Sequence, residues 1–253
     1  MAPDQPLPER STDRSPDGLG ERVSGRGHEA AEQVREKVRE VKAEVKPKLR
    51  GWLHAGTAPL ALAAGIVLLA LSPTVATRVG SAIFAGTALL LFTVSAIYHR
   101  GTWSPRAHAF LRRFDHSNIF LLIAGSYTPF TLILLKEPER TALLAIVWTG
   151  AVLGVLFRIF WSNAPRWIYT PIYVALGWVA IFYAGELGSG GPAVTTLLMV
   201  GGGLYTVGGL VYGLKKPDPF PSWFGFHEVF HTLTIAAFVC HYVAASIATY
   251  SLR

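Results

Sequence analysis

The chain has 253 residues, of which 51% are hydrophobic and only 15% charged. Ten of its 16 acidic residues lie before residue 45, so from Trp52 onward only Asp115, Glu137, Glu139, Glu186, Asp218 and Glu228 remain. That is too little polar surface for a water-soluble fold. The net charge of +7 comes from basic residues that flank apolar runs, which points to membrane lipids as partners and not to nucleic acid. A single cysteine, Cys240, rules out an intrachain disulfide framework.

Residues 1–27, rich in Pro, Gly, Ser and charge, read as a disordered tail. Residues 28–50 read as a charged amphipathic helix or arm. Val34, Val38, Val41 and Val45 recur at helical spacing, Glu32–Arg35 and Glu36–Arg39 can pair at i,i+3, and Pro47 ends the helical pattern. No apolar core lies near the start, so no cleavable signal peptide is expected and insertion begins at the first span. Residues 51–253 then hold seven apolar runs, near 52–71, 79–98, 116–135, 142–160, 168–185, 192–212 and 229–249. Each approaches the ~20 residues a spanning helix needs. Between them lie turn or polar signals: Ser72-Pro73, the stretch 100–115, Lys136–Arg140, Ser162–Arg166, Glu186–Gly191 and Lys215–Pro221. Tyr169-Thr170-Pro171 interrupts the start of the fifth run. The expected fold is all-α, a polytopic membrane protein of seven transmembrane helices in the cell (plasma) membrane.

Basic residues in the short connections set the orientation. One side carries Lys46, Lys48, Arg50, Arg100, Arg106, Arg112, Arg113, Arg158, Arg166, Lys215 and Lys216, and the other carries Arg78, Lys136, Arg140 and Arg253, a ratio of 11 to 4. The N-terminus is therefore predicted to be cytoplasmic and the C-terminus outside.

Ionisable residues at the ends of spanning helices need a reason to be there. Helix parity puts His99, Asp115, His227 and His231 at the same, cytoplasmic, face. His227 and His231 are four apart and share one helix face, and Ser95 stands one turn before His99. Three neutral imidazoles suit zinc, with the fourth position left to water, the mark of a catalytic site. Zinc lowers the pKa of such a water to about 7. Asp115 is placed to orient or deprotonate it, and Ser95 to support Asp115 or help hold an oxyanion.

The stretch 227–231 is also formally the H-E-x-x-H pattern of zinc metalloproteases, with Glu228 as general base. Against that reading, no later residue supplies a third ligand; His241 is ten residues on, about 15 Å along the helix. Glu228 reads more simply as a carboxylate in the first turn of a helix. His54, His108 and His116 are expected to be interfacial or loop residues, with His116 in reserve as a ligand beside Asp115. Pro129 is expected to kink the third helix, and Gly209-x-x-x-Gly213 to allow close helix contact.

Three motifs occur in order at these helix ends. They are Ser95-x-x-x-His99, Phe114-Asp115-His116-Ser117 running into Ala124-Gly125-Ser126-Tyr127-Thr128-Pro129, and Phe224-Gly225-Phe226-His227-Glu228-x-x-His231. With them, residues 48–250 resemble the bacterial hemolysin III branch of the progestin and adipoQ receptor family, part of a wider group with adiponectin receptors and alkaline ceramidases. The resemblance implies seven helices with a cytoplasmic N-terminus, and zinc held by His99, His227 and His231 with Asp115 beside the metal water. For the wider group it implies a lipid-amide hydrolase. The expected function is thus a zinc-dependent hydrolase of lipid amides or esters. The alternatives are a non-enzymatic receptor, membrane-homeostasis or pore-forming protein with structural zinc, and an intramembrane metalloprotease.

Overall fold

The computed structural model describes residues 47–161 and 163–252. The predicted tail and the arm up to residue 46 lie outside the described residues. The helices are α1 (Trp52–Ala70), α2 (Val75–Arg100), α3 (Pro105–Leu134), α4 (Glu139–Phe160), α5 (Arg166–Gly177), α6 (Ala184–Gly188), α7 (Pro192–Leu214) and α8 (Phe226–Tyr250). A 3₁₀ turn, Trp178–Tyr183, joins α5 to α6, so Arg166–Gly188 counts as one span. The seven resulting spans are long and apolar enough to cross a bilayer. Among the described residues there is no β-strand, only an isolated bridge between Phe220 and Phe224.

Neighbours in sequence pack side by side, as short connections require, and α8 also meets α1, α2 and α3. The interior helix is α3: 67% of its most apolar stretch is buried, against 22% for α1, and it packs on α2, α4, α5 and α8. Phe84, Phe92, Phe120, Leu68, Leu143 and Val147 fill the core. Large apolar side chains such as Leu60, Phe160 and Phe182 point outward, as expected for a surface that lipid covers.

Several boundaries differ from the sequence expectation. The third helix begins at Pro105, not near 116, so the stretch 100–115 is mostly helical and Asp115 lies well inside the helix. Ser104 caps it, its hydroxyl accepting from the Ala107 N–H at 3.4 Å, and Pro105 follows at the first helical position. A hydropathy reading missed this turn-rich start because its Arg residues carry it out of the apolar layer. The second helix starts at Val75 through a reciprocal cap between Thr74 and Thr77. α8 starts at Phe226, where the Gly225 and Phe226 N–H groups donate to Glu228 and Asp218 at 2.9 Å each.

The fifth span explains its weak signal. α5 runs through Pro171 and breaks after Gly177. There the Tyr127 hydroxyl from α3 donates to the Gly177 carbonyl at 2.6 Å and accepts from the Ala180 N–H at 2.8 Å. In an apolar layer the backbone groups freed by a helix break need such partners. α7 fits closely on α5: a side chain at Gly209 would meet Val174 at 3.3 Å, and one at Gly213 would meet Thr170. Pro129 lies inside α3 with its ring and backbone against Gly80 of α2, a close packing contact.

Candidate metal centre

At the end of the bundle where α1 and α8 begin and α2 ends, three buried histidines converge. His99 comes from the last turn of α2, and His227 and His231 from the first two turns of α8. One ligand atom from each lies within 4.8 Å of the other two, and the Nε2 atoms of His99 and His227 are 3.1 Å apart. The spacing comes from two simple causes. The i,i+4 pair shares one face of α8, and α2 brings its C-terminal turn against that face. Gly51, with φ of +80°, lets the chain before α1 pass against His99, where a Cβ would collide with the imidazole-bearing carbon.

The donor set fits zinc. Three imidazoles, all buried and with no acidic ligand among them, match the nitrogen sites zinc prefers. His231 Nδ1 is buried without a hydrogen-bond partner, the state expected of a ring nitrogen that serves an ion or a water.

Asp115 stands beside this cluster, its Oδ2 3.8 Å from His99 Nε2. Ser95, buried one turn before His99, directs its hydroxyl to the Asp115 carboxylate. The five residues singled out from the sequence are therefore brought together. His116 is near but occupied. Its Nδ1 donates to the Arg112 carbonyl at 2.8 Å, so its Nε2 accepts from the Tyr212 hydroxyl at 3.0 Å. Tyr212 in turn lies 3.1 Å from the Tyr169 hydroxyl. The arrangement makes His116 a brace for the wall next to Asp115 and removes it as a ligand.

Glu228, formally the second residue of an H-E-x-x-H pattern, is fully enclosed and doubly engaged. It forms an ion pair with Arg50 and caps the Gly225 N–H. Both oxygens are thus engaged, one by Arg50 before α1 and the other by the N–H that opens α8.

His54 overturns the expectation that it is interfacial. It is 2% exposed and stacks on His231, with ring centroids 3.8 Å apart and planes 15° from parallel. Parity of the spans already placed the start of the first helix at the same end as the other histidines, and that signal could have found it. His108 is exposed, as expected. A cavity of about 320 Å³ opens from the cluster into the bundle between α3, α5, α7 and α8. Its polar end holds His54, Ser95, Asp115, His227 and His231, and its other end reaches Leu187 and Thr195.

Residues 43–242 match the model of a family described as "Haemolysin-III related". This chain belongs to that family. It is similar to Hemolysin-3 of Bacillus cereus, 35% identical over 148 residues, covering 56% of this chain and 65% of that protein. It is also similar to a Hemolysin-3 homolog of Bacillus subtilis (strain 168), 36% identical over 167 residues, covering 62% and 73%. A more distant relative is Progestin and adipoQ receptor-like protein 1 of Caenorhabditis elegans, 27% identical over 182 residues, covering 64% of this chain and 42% of the worm protein. The matches thus span about two thirds of the B. cereus relative and less than half of the worm one.

Proposed function

We propose that the protein is a zinc-dependent hydrolase of lipid amides or esters that works from the cytoplasmic leaflet of the cell membrane. The observation that carries this reading is the junction of two features: three buried imidazoles with a carboxylate beside them, set at the mouth of a deep, mainly apolar cavity. A structural clamp would need the first feature and not the second. The charge ratio of the connections supports the cytoplasmic side.

His99, His227 and His231 would hold the zinc. Held there, zinc would supply Lewis acidity at the substrate carbonyl and would make a water nucleophilic near neutral pH. The chain's own residues do the rest. The cavity takes the acyl chain and keeps bulk water from the carbonyl. Asp115 accepts a proton from the attacking water, and the water oxygen bonds to the carbonyl carbon. The C–N bond then breaks, Asp115 returns the proton to the leaving nitrogen, and a fatty acid and an amine result. Ser95 holds the carboxylate in position, and His54 fixes the plane of His231 by stacking on it.

The test is hydrolysis of an N-acyl sphingoid base and of an acyl ester by the purified, zinc-loaded protein. Asp115→Asn should retain the metal and lose activity by about 10²–10⁴-fold. Hydrolysis of neither substrate by the wild type, or an Asp115→Asn variant as active as wild type, would end this reading.

A further inference from the structure

Midway along the cavity two polar side chains stand among apolar walls. His241 of α8 and Tyr205 of α7 both line it, with ring centroids 5.5 Å apart. Both ring nitrogens of His241 and the Tyr205 hydroxyl are buried and make no hydrogen bond of normal geometry, although the Leu198 carbonyl approaches the imidazole. The hydroxyls around them behave differently. Thr206 is bonded to the Gly202 carbonyl and to the Trp178 indole, Thr234 to the Phe230 carbonyl, and Ser126 to the Ile123 carbonyl. Thr170, the other cavity-lining hydroxyl without a partner, sits nearer the histidine end, against Gly213, so among the described residues the His241–Tyr205 pair carries the open donor and acceptor capacity at this level.

The chain also makes room for it. A side chain at Gly201 would run into the His241 ring, so that glycine is the recess that lets an imidazole lie between α7 and α8. Phe130 approaches the ring edge-on, with centroids 6.4 Å apart. A histidine and a tyrosine unsatisfied in the apolar layer are unfavourable unless something polar meets them. Leu or Phe would fill the same space without that cost.

We propose that His241 and Tyr205 form a mid-chain recognition site that selects acyl chains bearing a hydroxyl group near the middle. This rests on the reading of the cavity as an acyl chamber. The chemistry matches: an alcohol accepts from the tyrosine O–H and donates to an imidazole nitrogen, using both partners at once. The position follows from helix geometry. His241 is ten residues beyond His231 on one helix, about 15 Å deeper. With carbon–carbon bonds of about 1.5 Å, a zigzag chain advances about 1.25 Å per carbon, so that depth corresponds to about the twelfth carbon from a carbonyl held at the metal centre.

The experiment measures binding, not turnover, on the full-length protein in lipid nanodiscs. Octadecanoate, 12-hydroxyoctadecanoate and 2-hydroxyoctadecanoate are titrated against wild type, Tyr205→Phe and His241→Phe. Wild type should bind the 12-hydroxy acid about tenfold more tightly than octadecanoate. That ratio should fall to about one in Tyr205→Phe, which removes a single oxygen and keeps the ring. The ratio for the 2-hydroxy acid, whose oxygen stays near the metal centre, should not respond to Tyr205→Phe. Equal wild-type affinity for octadecanoate and the 12-hydroxy acid would overturn the proposal while leaving the acyl chamber in place. So would a 12-hydroxy preference that survives both substitutions. Binding of none of the three acids would remove the chamber reading and the proposal with it.

Discussion

The two ends of the bundle treat polar groups in different ways. Where α1 hands over to α2 and α3 to α4, most polar side chains close onto nearby partners, with Thr249 Oγ1 an exception among the described residues. Ser72 bonds Ser81 at 2.9 Å, Thr74 and Thr77 cap α2 reciprocally, Arg78 donates to the Ser72 carbonyl, and Arg140 donates to the Leu135 carbonyl. These contacts finish helix ends, which an apolar surrounding demands. At the opposite end four imidazoles and a carboxylate are gathered in one small volume, and neither His54 nitrogen nor His231 Nδ1 has a hydrogen-bond partner among the described residues. Glu228, Arg50, Ser104 and Asp218 there act like the far end, pairing with each other or capping the starts of helices. One end is built for the chain's stability. The other gathers three buried histidines that could hold a metal ion.

Substitutions at the two ends should therefore separate metal and activity from stability. The largest effect is expected for His231→Ala, which should reduce hydrolysis to background and abolish the stabilisation that added zinc gives in thermal unfolding. Glu228→Gln should lower stability by about 2 kcal/mol, since it breaks a pair whose acidic partner is fully enclosed while Arg50 stays partly exposed. Its zinc content and its activity per folded molecule should match wild type; loss of turnover with unchanged stability would instead revive the metalloprotease reading. Tyr127→Phe, read by chemical unfolding in detergent, should cost about 1–2 kcal/mol by stripping the break in the fifth span of its partners. The smallest change belongs to the far end: Ser81→Ala should cost about 1 kcal/mol or less and leave metal content and turnover as they were. A far-end variant that changed zinc affinity would blur the division between the ends.

Much of this architecture was legible in the sequence because lipid imposes a length and a polarity on each span. Parity then carried His99, Asp115, His227 and His231 to one level although 132 residues separate the first from the last. What stayed hidden has a common physical cause. The start of α3 lies outside the apolar layer, so hydropathy could not mark it, and only Ser104-Pro105 signals the cap. His54 was misread because a histidine three residues into an apolar run looks interfacial until α8 is seen beside α1. The Arg50–Glu228 pair joins residues 178 apart through tertiary contact alone. The break in the fifth span was signalled by Pro171 but mislocated, because its position depends on Tyr127 reaching in from α3.

The central claim is that the three histidines form one metal site. It is tested most directly by metal analysis of the purified protein after exposure to zinc and removal of excess, with His99→Ala as the control. Wild type should carry about one zinc per chain and His99→Ala less than about a tenth of that, since two remaining imidazoles hold the ion weakly. A wild-type protein that retains no zinc, or a His99→Ala variant that retains the full complement, would contradict the account.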